Sequence, residues 1–178
     1  MLTAIVLANS QEKQGFAREA AEQAARTLAF LVSAAVQGLV RDAVLVGEDS
    51  AALRYVADYA GCTLVTESDP AAALVAALSS GRAEHVFLLT AGYAAEPPLI
   101  DEIRDFLEFS GGRDTLCGLV RQTPRGLAQR LLPVISPLAG LVAPRVRSRD
   151  AGARDLADMA RRLRPKVTFK AGARRLVY

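Results

Sequence analysis

Short apolar runs alternate with helical segments four times before residue 110, and this rhythm restricts the chain to few folds. The runs are 2–8 (LTAIVLA), 42–47 (DAVLVG), 62–66 (CTLVT) and 85–90 (HVFLLT). Each is apolar throughout or nearly so, as strands buried on both faces are. Between them the spacing predicts helices. Residues 15–39 carry Phe16, Ala20, Ala24, Leu28, Leu31, Val32, Ala35 and Leu39 at helical intervals, with Gly38 near the end as a stop. Residues 51–59 form a second helix ended by Gly61. Asp69-Pro70 opens a third, running to Ser80, with the cap and first-turn residues such a start prefers. Pro97-Pro98 opens a fourth, which runs to Phe109 before Gly111-Gly112. Strands of this kind alternating with helices predict an α/β fold, a three-layer α/β/α domain with a mostly parallel sheet.

The later residues are less regular. A fifth strand is expected over 115–120 and a helix over 125–132. Pro133, Pro137 and Pro144 interrupt the next stretch. An amphipathic helix is expected from 150 or 151 to 164, with Leu156, Met159, Ala160 and Leu163 on one face and Pro165 as its stop. Two short strands, 166–171 and 174–178, meet around Gly172.

With 178 residues the chain is expected to be a single domain able to bury its own core without disulfide or metal staples. Its two cysteines, Cys62 and Cys117, make no disulfide framework and read as small buried hydrophobes. One histidine, His85, argues against a zinc cluster and against a histidine-based nucleophilic triad; it reads as an exposed residue at the far end of its strand. The longest apolar run is too short for a membrane span, and the opening residues lack the layout of a secretory leader. The expectation is a cytoplasmic protein with no membrane span.

Charge divides the chain. Residues 1–110 carry 7 Lys/Arg against 15 Asp/Glu, a net −8, whereas 111–178 carry 15 against 4, a net +11. The second part, rich in arginine over 145–175, is either a basic surface beside an acidic body or a docking face for an anionic partner. The expected organisation is a nucleotide-binding-like half, 1–110, and a basic C-terminal part, 111–178.

Ligands of parallel sheets sit beyond the carboxyl ends of the strands. This rule selects four loops. Asn9, Ser10 and Lys13 follow Ala8, where a helix N-terminus could hold an anion and Lys13 could add a charge. Glu48-Asp49 and Glu67/Asp69 are acidic pairs on neighbouring loops; they are either ligands for a hard cation or, for Asp49 and Asp69, helix caps. Thr90 and Gly92 end the fourth strand, with Tyr93 beside them. After the fifth strand, Arg121 and Arg125 could clamp a phosphate. The long Ala-rich helix could also pack against a second copy, giving a homodimer.

Residues 3–8 (TAIVLA), 42–47, 72–78 (AALVAAL) and 85–89 followed by Pro97-Pro98-Leu99-Ile100 together resemble the nucleotide-diphospho-sugar transferase superfamily of A-type glycosyltransferase fold. Among its small members the molybdenum-cofactor guanylyltransferases are similar. The resemblance covers 1–110 and implies that Ala8, Asn9, Ser10, Lys13, Thr90 and Gly92 line a site for a nucleotide or sugar nucleotide. It also implies departures. Asn9 and Ser10 stand where the family has paired glycines, and Gly92 stands where it has a metal-binding aspartate. The implied protein is a degenerate relative without a resident metal. If it is instead an active transferase, magnesium or manganese would have to be held by Glu48, Asp49, Glu67 or Asp69.

Overall fold

A computed structural model describes residues 1–8, 17–109, 116–124 and 136–176. At its centre β1 (Leu2–Ala8) is buried along its whole length. Leu2, Ala4, Val6 and Ala8 face one apolar layer, and Ile5 and Leu7 face the other. That two-sided burial is why the run is continuously apolar. Beside β1 lie β2 (Val40–Gly47) and β4 (His85–Thr90), both parallel to it, and β3 (Thr63–Val65) extends the sheet parallel to β2.

Seven strands form this sheet in the order β3-β2-β1-β4-β7-β6-β8. The residues of β7 (Leu138–Pro144) were expected only to be punctuated by prolines; they form a buried strand antiparallel to both β4 and β6 (Cys117–Arg121). The outer strand β8 (Lys166–Thr168) runs parallel to β6. One sheet therefore contains strands from both the acidic and the basic parts of the chain. A second, two-stranded sheet pairs β5 (Tyr93–Ala94), which had been expected to be loop, with β9 (Arg174–Arg175). The two C-terminal strands thus separate around Gly172 into different sheets.

On one face of the large sheet pack α1 (Ala17–Val36), α2 (Ala51–Ala60) and α4 (Pro97–Phe109). On the other pack α3 (Pro70–Ser80), α5 (Arg145–Asp150) and α6 (Leu156–Arg162). The helix expected from 150 to 164 is shorter. Residues 151–155 turn the chain, with Gly152 at φ +57, and α6 starts only at Leu156, capped by Asp155; α5 precedes the expected span. The expected inward face survives, with Leu156, Met159, Ala160 and Leu163 all buried. The expected helix over 125–132 lies outside the described residues.

In α1 the buried apolar positions are Ala21, Ala24, Leu28, Leu31 and Ala34, with Thr27 the buried polar one among the described residues. Val32 and Ala35, expected on the core face, are exposed instead. At the amino end of the sheet, the buried Thr3 hydroxyl donates to Asp42 Oδ1 (2.7 Å) and accepts from Ala83 N (3.1 Å). A buried hydroxyl needs such partners, and these fix β1 to the turn before β4. His85 is half-buried at that end. Cys117 is buried and Cys62 half-buried, and burial pushes both thiols up, away from the reactive thiolate. None of the described helices is long and apolar enough to cross a membrane.

Candidate functional site

After β1 the chain builds outward to β2 and β3, then crosses to place β4 on β1's other side. This reversal is where a doubly wound sheet leaves a crevice. The two sides of it differ. Beyond β1, β2 and β3 lies a cleft of about 300 Å³. Ala8 and Gly47, paired in register at the ends of β1 and β2, lie on its floor. Glu48, Glu67, Arg154 and Asp155 stand around it. Glu48 and Glu67 are exposed, and neither is in an ion pair among the described residues.

Arg154 and Asp155 come from the loop before α6 and were not singled out as site residues, because an unbroken helix was expected there. The signal available was Asp155 followed three residues later by Asp158, a capping pattern. Asp155 accepts from Asp158 N (2.7 Å), and Asp158 in return accepts from Arg154 N (3.2 Å). Asp158 is also ion-paired with Arg162 (3.0 Å) and Arg161 (3.3 Å). Arg162 foremost, then the Arg154 N–H, hold the Asp158 carboxyl below the usual carboxylate range. This exchange of hydrogen bonds fixes the loop that reaches the cleft.

The other acidic candidates are already engaged. Asp69 caps α3 by accepting from Ala72 N (2.8 Å). Asp49 accepts from Arg54 Nε (2.7 Å) and a terminal guanidinium nitrogen, while Ser50 caps α2 by accepting from Leu53 N (3.2 Å). Among the described residues no three carboxylate, imidazole or thiol groups come together as metal ligands would. An ion held by Glu48 and Glu67 would have two protein carboxylates and would take its other oxygen ligands from water or a bound phosphate.

Beyond β4 the chain closes over itself. Ala91 N donates to Leu7 O (2.9 Å), and Gly92 N donates to the buried Thr27 hydroxyl on α1 (3.0 Å). Gly92 O accepts from Leu176 N (2.7 Å). At φ +87, with Gln23 Oε1 3.3 Å from where a Cβ would stand, position 92 is a turn that favours glycine. β9 covers the same end by pairing with β5, and Arg174 Nε donates to Glu96 Oε1 (2.7 Å). Gly172 lets the tail pass close to β6: a Cβ there would stand 2.7 Å from Arg121 O and 2.8 Å from Thr123 N. Thr90 is half-buried at this end, and neither it nor Gly92 lines the cleft. Arg121 donates to Ser136 O (2.8 Å). Asn9, Ser10, Lys13 and Arg125 lie outside the described residues. The cleft thus brings Ala8 together with Glu48 and Glu67, while Thr90, paired with Leu7 in register, Gly92 and Arg121 do not line it.

The basic C-terminal residues are folded into the domain. Several donate to backbone carbonyls: Arg145 to Ala83 O (2.8 Å), Arg147 to Arg164 O (2.8 Å) and Lys166 to Ala160 O (2.7 Å). Burial, then Arg164 and Arg121, pushes the Lys166 ammonium below its ordinary range.

No family model matches the chain, and no curated protein does. Solved structures do. HddC from Yersinia pseudotuberculosis superposes with a TM-score of 0.60 at 12% identity, over 95% of this chain and 90% of that one. The 2-C-methyl-D-erythritol 4-phosphate cytidylyltransferase of Thermus thermophilus gives 0.54 at 12% identity, over 96% and 89%. The glucosyl-3-phosphoglycerate synthase of Mycobacterium tuberculosis, solved with Mn2+, UDP and glucosyl-3-phosphoglycerate, gives 0.52 at 17% identity. That match covers 82% of this chain and spans 57% of the synthase. The chain shares the three-layer α/β/α fold of these structures.

Proposed function

We propose that this domain takes a nucleotide or sugar nucleotide into the cleft beyond β1, β2 and β3, and that metal-dependent transfer has been impaired in it. The observation that carries the reading is the contrast across the crevice. The β1–β3 side is open and lined by polar side chains. The β4 side, where the resemblance places the metal aspartate, is a glycine turn held by Thr27 and Leu176.

The chemistry of the cleft suits the neutral, hydroxyl-bearing part of such a ligand. A carboxylate is an acceptor only, so Glu48 and Glu67 would take hydrogen bonds from ribose or sugar hydroxyls or from a base amino group. An acidic side chain near the end of a strand does this for ribose in other doubly wound sheets. The same charges repel phosphates. We therefore assign the phosphates to the loop that follows Ala8, with the backbone at Asn9 and Ser10 and the Lys13 ammonium as partners. Arg121 and Arg125 are the alternative phosphate ligands. Thr90 and Gly92 act in this scheme by holding the crevice wall.

A second reading rests on the freedom of Glu48 and Glu67 from ion pairs: a working transferase in which these two hold a divalent ion. Titration calorimetry with UDP and UDP-glucose, with and without Mn2+, separates the two. Metal-independent binding is expected, with Glu48→Gln and Glu67→Gln each weakening it about two- to tenfold, the worth of one net hydrogen bond. In a thermal-shift format, ligand at a hundredfold excess over Kd adds about 2.7 kcal/mol. Binding that appears only with Mn2+ favours the working transferase. No nucleotide binding at all, with salt-sensitive retention on polyanions, overturns both and points to the basic third as a docking face.

A further inference from the structure

Helix α1 carries two apolar stripes, and the core uses one. Ala21, Ala24, Leu28, Leu31 and Ala34 are buried. Ala25, Ala29, Val32 and Val36 form a second row, at intervals of four, three and four, and all four are exposed. On the adjacent α2, Tyr55 and Tyr59 stand out from the surface, 71% and 86% exposed, with rings stacked 6.3 Å apart. Between the helices runs an apolar groove of about 460 Å³, reaching inward to Val40 and Cys62. Among the described residues, four of the nine exposed large hydrophobic residues lie on this one face: Val32, Val36, Tyr55 and Tyr59. A gathering of that kind on a soluble surface marks an interaction site more often than chance exposure does.

We propose that this face is the contact between two copies of the chain, related by a twofold axis that sets α2 antiparallel to α2 of the partner. Two observations select a second copy over other occupants. A twofold contact must be self-complementary, and this face has its ridge beside its groove. The Tyr55–Tyr59 ridge of one copy can enter the groove of the other, and the reverse contact forms at the same time. The charges next to the ridge are self-complementary too. Arg54 and Asp58 lie one turn apart on α2. Asp58 has no ion pair among the described residues, and Arg54 gives Nε and one terminal nitrogen to Asp49, leaving the other for a new acceptor. Antiparallel pairing brings Arg54 of each copy to Asp58 of the other, so the pair forms twice. The proposal is independent of the nucleotide reading.

Sedimentation of the full chain across a micromolar concentration series tests it. The wild type is expected to be a reversible dimer. Val32→Glu and Tyr59→Glu, both at exposed positions, are expected to weaken it at least about tenfold while circular dichroism stays unchanged. Asp58→Arg sets like charges opposite one another and is expected to weaken it too. Adding Arg54→Asp to Asp58→Arg restores the opposite-charge pairing and is expected to recover much of the dimer. A wild type that stays monomeric throughout overturns the proposal, whether or not the groove then takes a peptide or an apolar dye. A dimer indifferent to Val32→Glu and Tyr59→Glu overturns it as well. A double variant no tighter than Asp58→Arg alone overturns the antiparallel arrangement.

Discussion

The two sides of the crevice are made from the same kind of element, a parallel strand ending in a turn toward a helix, yet they have opposite fates. At the ends of β1, β2 and β3 the chain leaves a cleft, and its acidic side chains Glu48 and Glu67 face solvent without ion-pair partners. At the end of β4 backbone groups are bonded to α1 and to the tail, and Arg174 is paired with Glu96. A site needs polar groups that the fold has left unused. By that measure, among the described residues, the first side is the one left available.

The largest expected effect tests the closed side. Gly172→Ala would drive a methyl into the Arg121 and Thr123 backbone, which cannot move aside as a side chain can. A loss of about 2–3 kcal/mol in urea denaturation is expected, at the upper part of the overpacking range. An unchanged midpoint would mean that the tail is not part of the cooperative unit. Next is Gly92→Asp, which restores the carboxylate that the resemblance expects. The positive φ there predicts a loss of about 1–2 kcal/mol, and calorimetry is expected to show no new Mn2+ binding. Tight Mn2+ binding by that variant would erase the contrast between the two sides.

On the open side, Asp69→Ala is expected to cost about 1 kcal/mol by removing a cap, whereas Asp69→Asn, an equally good cap, costs little. Nucleotide affinity in Asp69→Asn should match the wild type; a drop would make Asp69 a ligand as well as a cap. The smallest effect concerns Asp158, whose folded carboxyl titrates below its ordinary range. A depressed carboxylate stabilises the fold above its unfolded pKa, and that contribution disappears as pH falls through the folded value. Carboxyl NMR titration should find Asp158 low in the wild type and higher in Arg162→Ala. No upward move would separate the Arg154–Asp155 loop from this ion pair.

Much of the fold was legible locally. The strand at 85–90 and the helix at 97–109 have the expected ends, and Asp69-Pro70 starts α3 as its chemistry predicts. These features depend on neighbours in sequence. Strand order does not, and nothing in the apolar run of β7 reveals that it pairs antiparallel between β4 and β6. The same limit applies to the site. Strand-end reasoning selects the loops of Glu48 and Glu67, which line the cleft, but Arg154 and Asp155 arrive from the far end of the chain. Helical periodicity also assigned Val32 and Ala35 to the core, because it shows that α1 has apolar residues to spare without showing which row the sheet will use.

The reversed direction of β7 has a consequence for how the domain can vary. It delivers the chain to the amino end of the sheet, where Arg145 N meets Glu84 O and where β8 also begins, so α5 and α6 make an excursion that leaves this end and comes back to it. The summit of that detour is the Arg154–Asp155 loop. Lengthening or shortening the excursion would reshape the mouth of the cleft while the seven pairing partners stayed in register, giving evolution a means to retune what enters without rebuilding the sheet.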